Sequence, residues 1–171
     1  VINLSKKKKV SKTLVEKILD KQKVPYEAIT FATKADGDTQ ELVTDDSTRD
    51  GIKIYKTLVL TGNKTGPLVG MVALDKHISY KKLAKLSGNK KVGMVPLKDL
   101  VKTSGFEHGA NSPVGIRSLH NYPIYFDSEA DHSDKIIVSA GKVGYSVIIE
   151  PHDLAKSVNA TFGDFGVDEP E

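Results

Sequence analysis

Apolar residues recur at helical spacing near the start of the chain, where Leu14, Val15, Ile18 and Leu19 share one face of a helix predicted over 12–22, with Ser11 placed to cap it. Pro25 ends that helix, and residues 26–31 are short and apolar enough for a strand. Residues 32–39 carry Lys34, Asp36, Gly37 and Asp38 and read as a polar loop; the poor pattern over 40–51 predicts a short helix capped near Asp46 or Ser47 and stopped by Gly51. Residues 56–61 and 68–74 are β-branched and apolar runs separated by Gly62-Asn63-Lys64-Thr65-Gly66-Pro67, which predicts a hairpin at the centre of a sheet. Ser79 caps a helix over 80–87 that Gly88 ends, residues 91–95 form a short strand, and Pro96 opens a helix that stops at Gly105.

The segment 105–115 reads Gly-Phe-Glu-His-Gly-Ala-Asn-Ser-Pro-Val-Gly, and its three glycines and one proline predict an irregular loop. Residues 123–127 and 135–139 read as strands, a turn over 141–144 leads to a third at 145–149, and Pro151 opens a last helix through about Asn159. The acidic end, Asp168-Glu169-Pro170-Glu171, lacks periodicity and is expected to be loose. Helices and strands mix without strict βαβ alternation, so the expected class is mixed α/β: one domain over 1–171, with a mixed, largely antiparallel central sheet surrounded by helices.

Composition narrows the function classes. With 171 residues, 39% of them hydrophobic and 27% charged, the chain suits one core. The absence of cysteine excludes disulfides, thiolate metal sites and a cysteine nucleophile. No apolar run approaches the roughly 18 residues needed to span a bilayer, and no short apolar stretch follows the early lysines, so a soluble, cytoplasmic protein with no membrane partner is expected. A net charge of +3 suits a phosphate-bearing partner but falls short of defining a nucleic-acid-binding domain. The run Lys6 to Lys9 is either a solvated terminus or a nucleic-acid contact.

Candidate chemistry centres on three places. Alternation from Tyr55 puts Lys56 on the face of Leu58 and Leu60, with Tyr55, Thr57 and Val59 on the other. Its ammonium either snorkels to water or meets a phosphate or carbonyl oxygen in a pocket. Gly109 to Gly115 offers backbone N–H groups to a ligand, with Ser112 adding a hydroxyl and Pro113 stiffening the turn; an ordinary surface loop is the alternative. Ser139-Ala140-Gly141-Lys142 is a hairpin turn or a second wall. The histidines at 77, 108, 120, 132 and 152 lack zinc spacing, and His108 or His120 near the loop is either a ligand contact or an exposed side chain; no Gly-x-Ser-x-Gly elbow exists, and Asp127 and Asp131 cannot be assigned as an acid and base from spacing. No metal and no cofactor is expected.

Val-Pro-Tyr-Glu after the first helix, Tyr55-Lys56-Thr57-Leu58, Leu83-Ala84-Lys85, the segment 105–115, the segment 137–144 and Asp153-Leu154-Ala155-Lys156 follow in the order seen in YbaK/EbsC-type aminoacyl-tRNA deacylases. The chain resembles that family over roughly residues 12–165, and through it the editing domain of bacterial prolyl-tRNA synthetases. The resemblance implies a YbaK-like fold and removal of wrongly attached amino acids from tRNA, foremost cysteine from tRNA(Pro), with the tRNA acceptor end as partner and prolyl-tRNA synthetase as a possible second one. It implies that Lys56 binds or polarises the aminoacyl ester, that Gly109, Ala110, Ser112, Pro113 and Gly115 wall the amino acid, and that Ser139 and Gly141 sit near the pocket. Phe31 stands where the cysteine-specific branch has tyrosine and Ser146 where aspartate is common, while the two Gly-Gly pairs are Gly109-Ala110 and Ala140-Gly141. These departures leave open an alanine-specific deacylase or a non-catalytic module that binds a nucleotide or the acceptor end.

Overall fold

A computed structural model describes residues 11–36, 39–42 and 46–170, with the backbone alone for 34–36 and 39–42. Helix α1 (Leu14–Lys21) starts at Thr13, not Ser11, because only Thr13 has a glutamate three residues on. Glu16 N–H donates to Thr13 Oγ1 at 3.2 Å while Thr13 N–H donates to Glu16 Oε1 at 3.3 Å, a reciprocal cap. Val15 and Leu19 enter the core, and Leu14 stays exposed.

After β1 (Glu27–Thr30), two small hairpins replace the expected loop and helix: β2 (Thr33–Asp36) with β3 (Thr39–Leu42), and β4 (Thr48–Arg49) with β5 (Ile52–Lys53). Asp50 and Gly51 have φ of 53° and 80°, the left-handed pair that a two-residue type I′ turn requires. That Asp-Gly signal outweighs any cap at Ser47. The basic run Lys6 to Lys9 lies outside the described residues, as do Gly37 and Asp38 of the expected loop.

The remaining elements are β6 (Tyr55–Gly62), β7 (Gly66–Ala73), β8 (His77–Ile78), α2 (Tyr80–Ser87), β9 (Val92–Met94), a 3₁₀ turn at Leu97–Asp99 leading into α3 (Leu100–Ser104), α4 (Pro113–Leu119), β10 (Ile124–Asp127), α5 (Ser128–Asp131), β11 (Ile136–Lys142), β12 (Tyr145–Ile149), α6 (Pro151–Val158), β13 (Thr161–Gly163) and β14 (Gly166–Val167). One sheet runs β13-β10-β7-β6-β9, with β10 parallel to β7 and to β13 and with β6 antiparallel to both neighbours. A second, antiparallel sheet runs β1-β12-β11. A parallel bridge between Ile54 and Ile137 joins them at the start of β6.

Period-2 alternation on β7 sorts the core. Val69, Met71 and Ala73 face the interior shared with the three-stranded sheet, α1, α4 and α6, while Leu68 and Val72 face the other side under α2 and Phe165.

The segment just before the acidic end is anchored. Asp127, only 4% exposed, accepts the N–H groups of Phe165 at 3.0 Å and Gly166 at 2.8 Å, and Phe165 is wholly buried. Strands of two or three residues give no readable period, and the hold comes from a distant carboxylate. Lys76 pairs with Asp168 just beyond. Asp127→Ala should cost about 3 kcal/mol, the scale of losing two hydrogen bonds to a buried carboxylate. Equilibrium urea unfolding measures it, and limited proteolysis should then cut first around Phe165.

Candidate active site

Along one edge β6 is paired with β7 over its full length. Along the other, β9 pairs only with Leu60, Thr61 and Gly62, and one further bond runs from Val95 N–H to Val59 O at 3.2 Å. Between Tyr55 and Leu58 that second edge has no strand partner among the described residues. A cavity of about 370 Å³ opens there, and every residue from Ile54 to Val59 lines it, because an open edge is reached from both faces of a strand. Met94, Val95, Leu97 and Leu100 form an apolar wall, and His108, Gly109 and Asn111 a second. Ser139 and Ser146, opposite each other on β11 and β12, close the far side.

Among the described residues of this lining, Lys56 is the only lysine, arginine or carboxylate. Its Nζ donates to the Leu74 carbonyl at 3.4 Å, a long contact. Burial pushes its pKa below that of a free lysine, and nearby Asp75 offsets part of this. Lys56 is thus partly buried in the cavity wall. Beside it Thr57 is 8% exposed, and its hydroxyl has no hydrogen-bond partner among the described residues.

The structure brings together Lys56, Gly109, Ser139 and Ser146 at this cavity; Phe31, Ala110, Ser112, Pro113, Gly115 and Gly141 do not line it. Ser112 is fully buried and caps α4, its Oγ accepting the Gly115 N–H at 3.2 Å. Pro113 is the first helical residue, where its missing N–H costs nothing. Gly115 is a packing glycine: a Cβ there would meet Phe106 Cζ at 2.3 Å. The expected eleven-residue loop is therefore irregular only before Ser112, and the Ser-Pro pair is the helix start that loop reading passes over. Ala110 is buried beside the cavity. Gly141 lies at the irregular end of β11 and donates its N–H to Ser139 Oγ at 3.1 Å, so it acts on the cavity through that serine. Phe31 lies beneath the Arg49 guanidinium, 4.9 Å from its ring centre.

Sequence reasoning missed Thr57 and Asn111 as cavity residues, and the apolar wall from Met94 to Leu100 as well; His108, which it leaves as either a ligand contact or an exposed side chain, lines the cavity. Alternation places Thr57 on the strand face opposite Lys56, but the open edge that turns this face into a wall depends on where β9 stops. The other titratable residues serve the frame. His152 lies 2.6 Å from both Glu150 and Asp131, hydrogen bonds to these carboxylates, Asp131 first, raise its pKa, and Asp127 is the C-terminal anchor. Among the described residues no three metal-ligating side chains gather as a site.

The sequence matches the model of the aminoacyl-tRNA editing domain over residues 34–157. A protein of Enterococcus faecalis (strain ATCC 700802 / V583) named "Putative Cys-tRNA(Pro)/Cys-tRNA(Cys) deacylase EbsC" is 39% identical over 166 residues, covering 97% of this chain and 100% of its own length. Two solved structures share the fold. Hypothetical protein APE2540 aligns with a TM-score of 0.71 at 17% identity, over 89% of this chain and 98% of its own. A protein described as "a putative trans-editing enzyme for prolyl tRNA synthetase" aligns with a TM-score of 0.59 at 22% identity, over 66% of this chain and 69% of its own. Family model, full-length relative and mixed α/β fold agree, and the chain belongs to the aminoacyl-tRNA editing domain family of YbaK/EbsC type.

Proposed function

We propose that the protein is an aminoacyl-tRNA deacylase that clears mischarged tRNA in the cytoplasm, foremost Cys-tRNA(Pro), with prolyl-tRNA synthetase as a partner that presents the tRNA. The observation that carries this reading is a small, mostly apolar cavity with one half-buried lysine and no nucleophile activated by a base. Ser139 accepts from Gly141, and among the described residues no serine is hydrogen-bonded to a histidine. A site built this way suits a substrate that brings its own nucleophile. The full-length relative named for Cys-tRNA deacylation supports the same substrate class.

In a cysteinyl ester the thiol lies one carbon from the α-carbon. Its sulfur bonds the ester carbonyl carbon, the C–O bond to the ribose breaks, and the ribose oxygen takes up a proton in place of the one the thiol released. The products are free tRNA and a four-membered thioester ring that water then opens. Intramolecular attack replaces a bimolecular step, and effective molarities of well-placed groups reach about 10⁵ M. The protein's part is to hold the ester, exclude bulk water and meet the developing oxyanion, with Lys56 as its positive charge. An alanyl ester offers no thiol and needs water as nucleophile.

Deacylation of Cys-tRNA(Pro) and Ala-tRNA(Pro), followed side by side, should show cysteine lost at least about tenfold faster, and equal loss of both would remove thiol assistance from the reading. Lys56→Met should lower the cysteine rate by about 100-fold or more. The same variant should melt a few degrees higher at neutral pH. Because folding lowers the Lys56 pKa, the folded state disfavours its charged form, and wild-type stability rises as pH increases through that lowered pKa. The melting difference between wild type and Lys56→Met should therefore shrink toward alkaline pH, which calorimetry across pH measures.

A further inference from the structure

The cavity wall holds a second polar group poised for a ligand. Asn111 lines the cavity and is only 6% exposed. Its Oδ1 is held by Ser104, a fully buried residue at the end of α3, whose hydroxyl donates at 2.7 Å. That hydroxyl accepts the Phe106 N–H at 3.1 Å, so its proton is left to donate. Two acceptors compete for the proton, Asn111 Oδ1 and the Phe106 carbonyl at 3.2 Å, and the shorter contact belongs to the asparagine. With the oxygen pinned, the Nδ2 amide is turned away from Ser104, and neither of its N–H groups has a hydrogen-bond partner among the described residues. A carboxamide of a residue nine-tenths buried, held at its oxygen and still open to solvent at its nitrogen, is a site for a ligand acceptor.

We propose that Asn111 is a catalytic residue of the deacylase, its Nδ2–H donating to the carbonyl oxygen of the aminoacyl ester as that oxygen gains negative charge, with Ser104 as its positioning residue. This rests on the deacylase reading. The chemistry selects the atom. A donor requires an acceptor, and among the described residues no carboxylate lines the cavity to serve as one. As the thiol sulfur bonds the carbonyl carbon, the ester carbonyl oxygen is the acceptor that gains negative charge first, the ribose oxygen following only when its bond to that carbon breaks, so a fixed donor in apolar surroundings acts most strongly on the carbonyl oxygen. Lys56 supplies charge on a flexible stem, and the pinned amide supplies direction.

The test is steady-state kinetics of Asn111→Ala and Ser104→Ala on Cys-tRNA(Pro) and Ala-tRNA(Pro), with melting temperatures. Asn111→Ala should lose about 100-fold in kcat with KM within about twofold, the mark of an interaction made in the transition state. Ser104→Ala, which frees the amide to turn, should lose about tenfold in kcat with KM likewise unchanged. An unchanged kcat, or a rise in KM alone, in a folded Asn111→Ala protein overturns the proposal. A second measurement on the wild-type protein is independent of turnover and of variant folding. The Asn111 side-chain N–H resonances in a ¹⁵N-labelled sample should shift on adding 3′-deoxy-3′-(alanylamino)adenosine, an amide that keeps the carbonyl and resists cleavage. A shift supports the assignment, and none at saturation overturns it. A wild-type protein that cleaves no aminoacyl-tRNA yet shows the shift would refute the deacylase reading while retaining Asn111 as a carbonyl donor.

Discussion

The site depends on a strand pairing that stops early. β9 covers only the last three residues of β6, and Pro96 then takes the chain out of the sheet into the turn that leads to α3. A longer β9 would have satisfied the edge of Tyr55 to Leu58 and filled the space the cavity occupies. Because the edge is open, neighbouring residues whose side chains leave opposite faces of the strand, Lys56 and Thr57, both reach the same space. The walls are firm because β6 is paired along its other edge over eight positions and fixed to β11 through the bridge at Ile54. Sites carried on paired strands hold their geometry better than sites carried on loops alone.

Such an edge is costly to keep. Lys56 is held partly desolvated and the buried Thr57 hydroxyl has no partner among the described residues, each of which lowers stability. The opposing terms lie elsewhere. Fully buried Phe126, Met71, Ile116, Ile136 and Ile149 fill the interior between the sheets, and Phe165 with Leu60, Leu68 and Leu83 fills the side under α2. Polar groups left incomplete inside an otherwise satisfied fold mark where evolution accepted local instability for chemistry.

How much of this was legible in the sequence differs by element for physical reasons. α2 was readable from end to end, since Ser79 and Gly88 bracket it as N-cap and C-cap. The β6–β7 hairpin was equally plain from its apolar runs. The β4–β5 hairpin was missed although Asp50-Gly51 announces it, because two-residue strands carry no period. α4 was missed because its glycine and proline were read as loop formers, when one is its first residue and the other its contact with Phe106. At the site, local pattern left both Lys56 and Gly109 with two readings, and family order singled them out. Thr57 and Asn111 were not, since their place in the wall follows from where β9 ends and from what Ser104 holds, facts of tertiary structure with no local period.

The departures at Phe31 and Ser146 carry unequal weight once placed. Phe31 is packed under Arg49 away from the cavity, so the hydroxyl it lacks is one the cavity does not miss. Ser146 faces Ser139 inside the cavity, so the carboxylate it lacks would have been the single negative charge in the lining. Without it the electrostatic character of the wall is set by Lys56. On the deacylase reading, an α-ammonium entering such a site meets a like charge and no counter-ion. An α-amino group has an ordinary pKa near about 8, so shedding its proton costs little, and hydroxyls such as Ser139 and Ser146 can then serve the neutral amine as donor or acceptor. A neutral amine also leaves the Lys56 charge undivided for the carbonyl oxygen. Replacing an aspartate by serine at this position therefore acts less on the shape of the cavity than on the protonation state in which it receives its substrate.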